Sequence, residues 1–177
     1  SRGLGDVYKR QVETAPGDAT VGLLRQEPER PPDATVRAML GRRLGVTQAQ
    51  ERFDRATAAL ADERPGTAEE YDRALTAWMR IGAADFDARL ERAADDLGLE
   101  SRLLELAPRA LSGGQFARVG LLAVMLSRFD ITLLDEPTND LDTDGLERLE
   151  RWVLDHDGGI ALISHDRAFL ERTATDV

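Results

Sequence analysis

An α/β fold, a parallel sheet carrying a helical subdomain, is predicted by three observations. Two short apolar runs, residues 131–134 and 160–163, each end abruptly in polar or ionisable residues. A glycine turn, Gly113 and Gly114, opens a helix-length segment just before the first of these runs. Between them and the start of the chain lies a long stretch, residues 35–106, whose apolar residues recur at helical rather than strand spacing.

Residues 1–11, SRGLGDVYKRQ, have little periodicity of either kind and hold Lys9, the single lysine of the chain. They are expected to be a non-native or disordered tail, with the domain proper spanning residues 12–177; a natural flexible terminus is the alternative. After the turn residues APGD, Thr20–Arg25 reads as a strand, with Gln26 at its end. Pro28, Pro31 and Pro32 then make a stiff, extended exit.

Val36, Met39, Leu40 and Leu44 form one apolar stripe. Gln48–Ala61 and Thr67–Ile81 read as two helices broken by Pro65 and Gly66, and a short connection makes them an antiparallel hairpin. Trp78 and Met79 are expected in its core. A third helix, Ala84–Leu97, stops at Gly98 and buries Phe86, Leu90, Ala93, Ala94 and Leu97.

Ser112 can cap the helix of residues 114–127, and the glycines behind it leave backbone N–H groups unobstructed, which is an anion site at a helix start. Ile131–Leu134 reads as a strand buried on both faces. Asp135 and Glu136 follow, where ligands gather in open α/β sheets, and Pro137 ends the strand. Adjacent side chains diverge, so Asp135 could help hold Mg²⁺ while Glu136 polarises a water; a strand entering a polar turn would look the same.

A further helix, Asp144–Asp155, is expected to face Leu146, Leu149, Val153 and Leu154 inward, with His156 exposed in the turn after it. Ile160–Ile163 is expected to be a second buried strand ending in Ser164, His165 and Asp166. Three consecutive residues cannot chain nucleophile, base and orienter, so these are no hydrolytic triad.

Composition bounds the function. The 177 residues are 42% hydrophobic, enough for one domain burying roughly two thirds of its unfolded surface. No apolar run approaches the ~18 residues of a membrane span, no leader is recognisable, and cysteine is absent, so a cytoplasmic location is expected. The net charge of −10 argues against a general binder of nucleic-acid backbones. The hairpin region 46–98 has seven arginines against twelve acids, which leaves a solvated helical cover and an RNA-touching arm both open.

Order and spacing sharpen these signals. LSGGQ at 111–115 resembles the signature motif of ATP-binding-cassette (ABC) ATPases, residues 131–136 their Walker B strand, and Asn139–Asp142 their D-loop. The run LLDEPTNDLD further resembles the ABC-F branch, paired-cassette proteins that act on ribosomes, and the helical insert 35–106 resembles their arm-bearing subdomain. The resemblance implies a P-loop NTPase sheet, ATP and Mg²⁺ as ligands, and a second cassette and the ribosome as partners. It implies that Ser112, Gly113, Gly114, Gln115 and Asp142 meet nucleotide held by the opposite cassette. Gln26 would be the Q-loop residue reaching Mg²⁺ beside Asp135, Glu136 the residue activating water, and His165 the switch histidine.

The 177 residues contain no G-x-x-x-x-G-K-[ST] phosphate loop. The expectation is therefore part of a cassette whose intact parent hydrolyses ATP, with translation or antibiotic resistance as its setting. An ATPase subunit of a membrane transporter and a piece that is non-catalytic by itself are the alternatives.

Overall fold

The computed structural model describes residues 19–24, 31, 33–61 and 65–175. Gln26 and the tail 1–11 lie outside the described residues. Strand β1 (Val21–Leu24) is followed by helices α1 (Val36–Arg43), α2 (Val46–Leu60), α3 (Thr67–Ile81), α4 (Phe86–Asp96) and the short α5 (Ser101–Leu104). A turn of 3₁₀ helix at Pro108–Ala110 leads into α6 (Gly113–Met125), β2 (Ile131–Asp135), α7 (Thr143–Asp155), β3 (Gly159–Ile163) and α8 (Arg167–Thr173).

The three strands form one parallel sheet in the order β1-β2-β3. Its register is pinned at the strand entrances, where Asp130 Oδ2 accepts both the amide (2.7 Å) and the hydroxyl (2.6 Å) of Thr20. Because Val21 pairs with Ile131 and Ile131 with Gly159, all three strands leave the sheet along one rim, and whatever follows β2 and β3 is brought together there.

The core sits on one face of this sheet. Helix α6 is apolar around most of its girth and buries Phe116, Val119, Leu121, Leu122, Ala123 and Val124 between α1, α4 and α7. The expected stripe Val36, Met39, Leu40 and Leu44 is buried, as are Phe86, Leu90, Ala93, Ala94 and Leu97. Arg37 locks α1 to its neighbours by reaching Asp87 (2.6 Å), Glu91 (3.1 Å) and Glu105 (2.7 Å); the hydrogen bond it donates to Glu105 does most to raise the guanidinium's pKa.

Helices α2 and α3 pair as the expected antiparallel hairpin. Phe53 stacks on Trp78 at 5.0 Å and lies 5.6 Å from Tyr71, and the Trp78 indole donates to Gln50 Oε1 at 2.6 Å. Trp78 therefore sits in the seam between two helices, whereas Met79 is 62% exposed, contrary to its expected core position. One residue further round a helix moves a side chain by about 100°, enough to turn it from seam to solvent.

Four other burial expectations are corrected. In β2 only Thr132 and Leu134 are buried, while Ile131 and Leu133 are partly covered. In β3 Gly159, Ala161 and Ile163 are exposed. The register puts Val21, Leu23, Ile131, Leu133, Ala161 and Ile163 on one face, and the described helices pack on the other. Leu154 on α7 is 63% exposed for a similar reason, since Leu149 and the partly buried Leu146 and Val153 already fill the contact side of that helix. His156 is half-buried rather than exposed, stacked on Trp152 at 4.4 Å with Nε2 enclosed.

Thr132 offers a direct test of the packed face. It is fully buried, and its hydroxyl has no hydrogen-bond partner among the described residues. Thr132→Val keeps the β-branched shape and removes that hydroxyl, so it is expected to be neutral or stabilising by up to about 2 kcal/mol. A urea melt in which Thr132→Val lowered the midpoint would show that the hydroxyl is bonded in solution.

Candidate functional site

The carboxyl rim of the sheet gathers Asp135, Glu136 and His165. Asp135 is the last residue of β2, with its side chain exposed. Glu136 extends the pairing by one step, its amide donating to Ile163 O at 2.8 Å, and then leaves the strand with φ +48°. A left-handed backbone at a residue other than glycine costs about 1–3 kcal/mol and persists where its surroundings hold it. Here the holding groups are visible. Glu136 Oε2 accepts the His165 amide at 3.1 Å, and Oε1 lies 3.4 Å from His165 Nε2, an ion pair when the imidazole is protonated.

The two side chains differ sharply in environment. That of Glu136 is 11% exposed and that of His165 97%. A sheltered carboxylate beside an open imidazole leaves one side of Glu136 facing the space into which the histidine projects. A water bound there could lose its proton to the carboxylate while the imidazole holds a second position.

The loops after β2 and β3 are clasped together beneath these groups. The hydroxyls of Thr138 and Ser164 are hydrogen-bonded at 3.1 Å, and Ser164 Oγ also accepts the Asp166 amide at 3.1 Å. Asp166 in turn caps α8 through the Phe169 amide at 3.0 Å. From the sequence, Thr138 has no assigned role and Ser164 is set aside as a nucleophile; a Thr two residues after Glu136 and a Ser just before His165 are the available signal for their pairing.

At the start of α6, Ser112 and Gln115 form a reciprocal capping box. Ser112 Oγ accepts the Gln115 amide at 3.3 Å, and Gln115 Oε1 accepts the Ser112 amide at 2.9 Å. The carboxamide of Gln115 is thus turned back on its own helix. Gly113 and Gly114 are exposed, and beyond their own stretch of helix no atom of the described residues lies within 4 Å of where a Cβ would stand. As the first two residues of the helix they have no intrahelical acceptor for their amides, so an anion could approach these donors closely.

Asp142 does two things. Its Oδ1 accepts the Gly145 amide at 2.9 Å, capping α7, and its Oδ2 accepts from Arg118 Nη2 at 3.2 Å. The Gly145 amide first and Arg118 second hold its pKa below the ordinary aspartate value. The stabilisation is complete above that ordinary value and is lost as pH falls through the depressed one. Among the described residues no hydrogen bond or ion pair runs directly between residues 112–115 and Asp135, Glu136 or His165.

No cluster of three or more metal-ligating side chains occurs among the described residues. The donor set at the rim fits Mg²⁺ in another way, since that ion keeps several waters and takes one or two carboxylates plus substrate phosphates, and Asp135 offers one exposed carboxylate. An open pocket of about 620 Å³, lined by Phe129, Trp152, His156 and Gly158 among others, lies at the opposite ends of the strands and adds nothing to this chemistry.

With this geometry in view, comparison with known families is decisive. The family described as ABC transporter matches residues 8–139. The chain belongs to the ABC transporter family. As an ABC cassette it is 37% identical over 158 residues to the energy-dependent translational throttle protein EttA of Mycobacterium tuberculosis (strain ATCC 25618 / H37Rv), covering 88% of this chain and 28% of that protein. It is 37% identical over 161 residues to EttA of Escherichia coli (strain K12), covering 89% and 29%. Tylosin resistance ATP-binding protein TlrC of Streptomyces fradiae is 38% identical over 172 residues, covering 91% and 30%. The chain therefore spans under a third of the length of these curated relatives.

Solved structures agree on the ABC fold. A bacterial ABC transporter cassette determined as a dimer superposes with a TM-score of 0.54 at 19% identity, over 89% of this chain and 57% of that one. A protein described as RNase-L inhibitor superposes with a TM-score of 0.51 at 19% identity, over 94% and 25%. No helix among the described residues is long and apolar enough to cross a membrane.

Proposed function

We propose that this cassette binds and hydrolyses ATP within an ABC-F-type protein that acts on the ribosome. The observation that carries the reading is the sheltered Glu136 carboxylate, held in a strained backbone at the rim and facing His165. The names of its relatives, an energy-dependent translational throttle protein and a tylosin resistance ATP-binding protein, support the ribosomal setting.

Each residue then has a task. Glu136 accepts a proton from the attacking water, and His165 holds that water or the terminal phosphate in line. Asp135 would hold Mg²⁺, with Gln26 as its expected partner. Mg²⁺, when bound, would supply charge neutralisation at the phosphates. Ser112, Gly113 and Gly114 donate hydrogen bonds to the phosphate of a nucleotide held by a second cassette, with Gln115 keeping their helix end in shape. Asp142 borders the same interface from the loop before α7.

The phosphate loop absent from the 177 residues has to come from elsewhere in the assembly, so turnover is expected of the complete protein. The hairpin's excess of acids makes it a poor clamp for RNA phosphates, and its contribution to ribosome contact is expected to be local. The test is ATP turnover by the complete protein with and without purified ribosomes, alongside cosedimentation with ribosomes and with membranes. Ribosome-dependent turnover and cosedimentation are expected. Partition with membranes instead would favour the ATPase subunit of a transporter.

A further inference from the structure

One turn past Gln115 on α6, the guanidinium of Arg118 reaches two other segments of the chain at once. Its Nη2 donates to Asp142 Oδ2 at 3.2 Å, and its Nη1 donates to the Leu97 carbonyl at 3.3 Å. Leu97 is the C-terminal cap of α4, where backbone carbonyls have no helical donor and the helix dipole is negative, so a cation is favoured there. Gly98 turns the chain at that point with φ +65°, and Arg118 Nη1 stands 3.5 Å from where its Cβ would be. At that distance a Cβ would make only ordinary contact with the guanidinium, so it is the left-handed backbone, not the arginine, that favours glycine there.

We infer that Arg118 is a positioning residue that fixes the loop 139–142 and the end of α4 to the helix bearing Ser112–Gln115, so that these segments face a second cassette as one body. As a surface ion pair the contact is weak, because the side chains are 40% and 56% exposed and solvent screens them. Its value is directional. The packing of α6 against α7 and α4 holds the helices together, but packing alone allows small rotations at the rim. A planar fork with donors on two nitrogens, engaged with a carboxylate on one side and a carbonyl on the other, resists them. Lysine, with one compact charge, can serve one acceptor well but not both. This role extends the proposed use of Ser112–Gly114 and Asp142 in nucleotide contact and rests on it.

The test begins with amide hydrogen exchange in the 177-residue chain. In Arg118→Gln, exchange at residues 98–99 and 139–145 is expected to quicken by about fivefold or more, with little change in the core strands. Arg118→Lys is expected to restore protection at 142–145 and not at 98–99. Asp142→Asn keeps an equally good helix cap, so it should loosen 139–141 by itself, and adding Arg118→Gln should then change that segment no further. Unchanged exchange in Arg118→Gln, full rescue of both segments by lysine, or additive effects in the double variant would each overturn the role.

In the complete protein, Arg118→Gln is expected to lower kcat for ATP about tenfold, as misplacement of a positioned group does, with KM within about twofold because the bound nucleotide is gripped by other residues. A raised KM with unchanged kcat would contradict it. If the wild-type protein does not hydrolyse ATP, the proposed function fails while the exchange pattern still decides whether Arg118 joins the segments. If the wild type turns over and Arg118→Gln exchanges like it, Arg118 has no positioning role and ATP hydrolysis stands.

Discussion

Glu136→Gln in the complete protein is expected to leave nucleotide binding intact and to lower ATP turnover by about 10²- to 10⁴-fold, the range spanned by a positioned general base. The substitution is chosen for what it preserves. Glutamine has the same shape, its amide oxygen can still accept the His165 amide now 3.1 Å from Oε2, and the backbone bond to Ile163 O at 2.8 Å is untouched. The loop should keep its left-handed turn, and the melting temperature should barely move. What disappears is the ability to take a proton, together with the charge opposite His165 Nε2. Nucleotide affinity, measured with a fluorescent analogue, and single-turnover hydrolysis separate the two effects. Turnover within a few-fold of the wild type would remove Glu136 from the chemistry and reduce its strained backbone to a structural turn.

The arrangement of elements was legible in the sequence for a simple reason. Strand length, helical period and breakers are local properties, and they placed Asp135 and Glu136 at the end of β2 and Ser164–Asp166 at the end of β3. The hairpin was equally readable, because Pro65 and Gly66 interrupt two long periodic runs. Burial was less legible wherever it depended on what covers a face. An apolar run such as Ile160–Ile163 has the composition of a central parallel strand, yet in the described residues half of it faces outward.

Side-chain links across the sequence were not legible at all. Nothing local says that Arg118 meets both Leu97 and Asp142, at separations of 21 and 24 residues, or that Thr138 and Ser164 share a hydrogen bond. The left-handed turn at Glu136 was hidden too. Proline at 137 disfavours the right-handed helical region for the residue before it, but extended backbone is the ordinary outcome. Glu136 instead turns left-handed while bonded to Ile163 O and to the His165 amide, contacts across the sheet that no local pattern records.

Phe169→Ala is expected to cost about 3–5 kcal/mol of folding stability, the usual range for emptying a buried aromatic site. Phe169 is fully buried, and it is the residue by which α8 is anchored in the common core. Domains of this kind hold only about 5–15 kcal/mol in total, so the loss is a large fraction of the whole. Its consequence reaches the rim through a short chain of bonds. The Phe169 amide is held by Asp166 Oδ1, the Asp166 amide by Ser164 Oγ, and Ser164 by Thr138, with His165 in the middle of that run. Arg172 pairs with Glu150 on α7, giving α8 a second tether. That pair is partly exposed and weak by comparison, so it cannot replace the buried ring. Phe169→Leu should lose much less, since most of the cavity stays filled. Denaturant unfolding of the three proteins, read as midpoint shifts at constant slope, checks the order. A loss below about 1 kcal/mol for alanine would mean that α8 contributes little to the core, and that His165 is held by its bond to Glu136 alone.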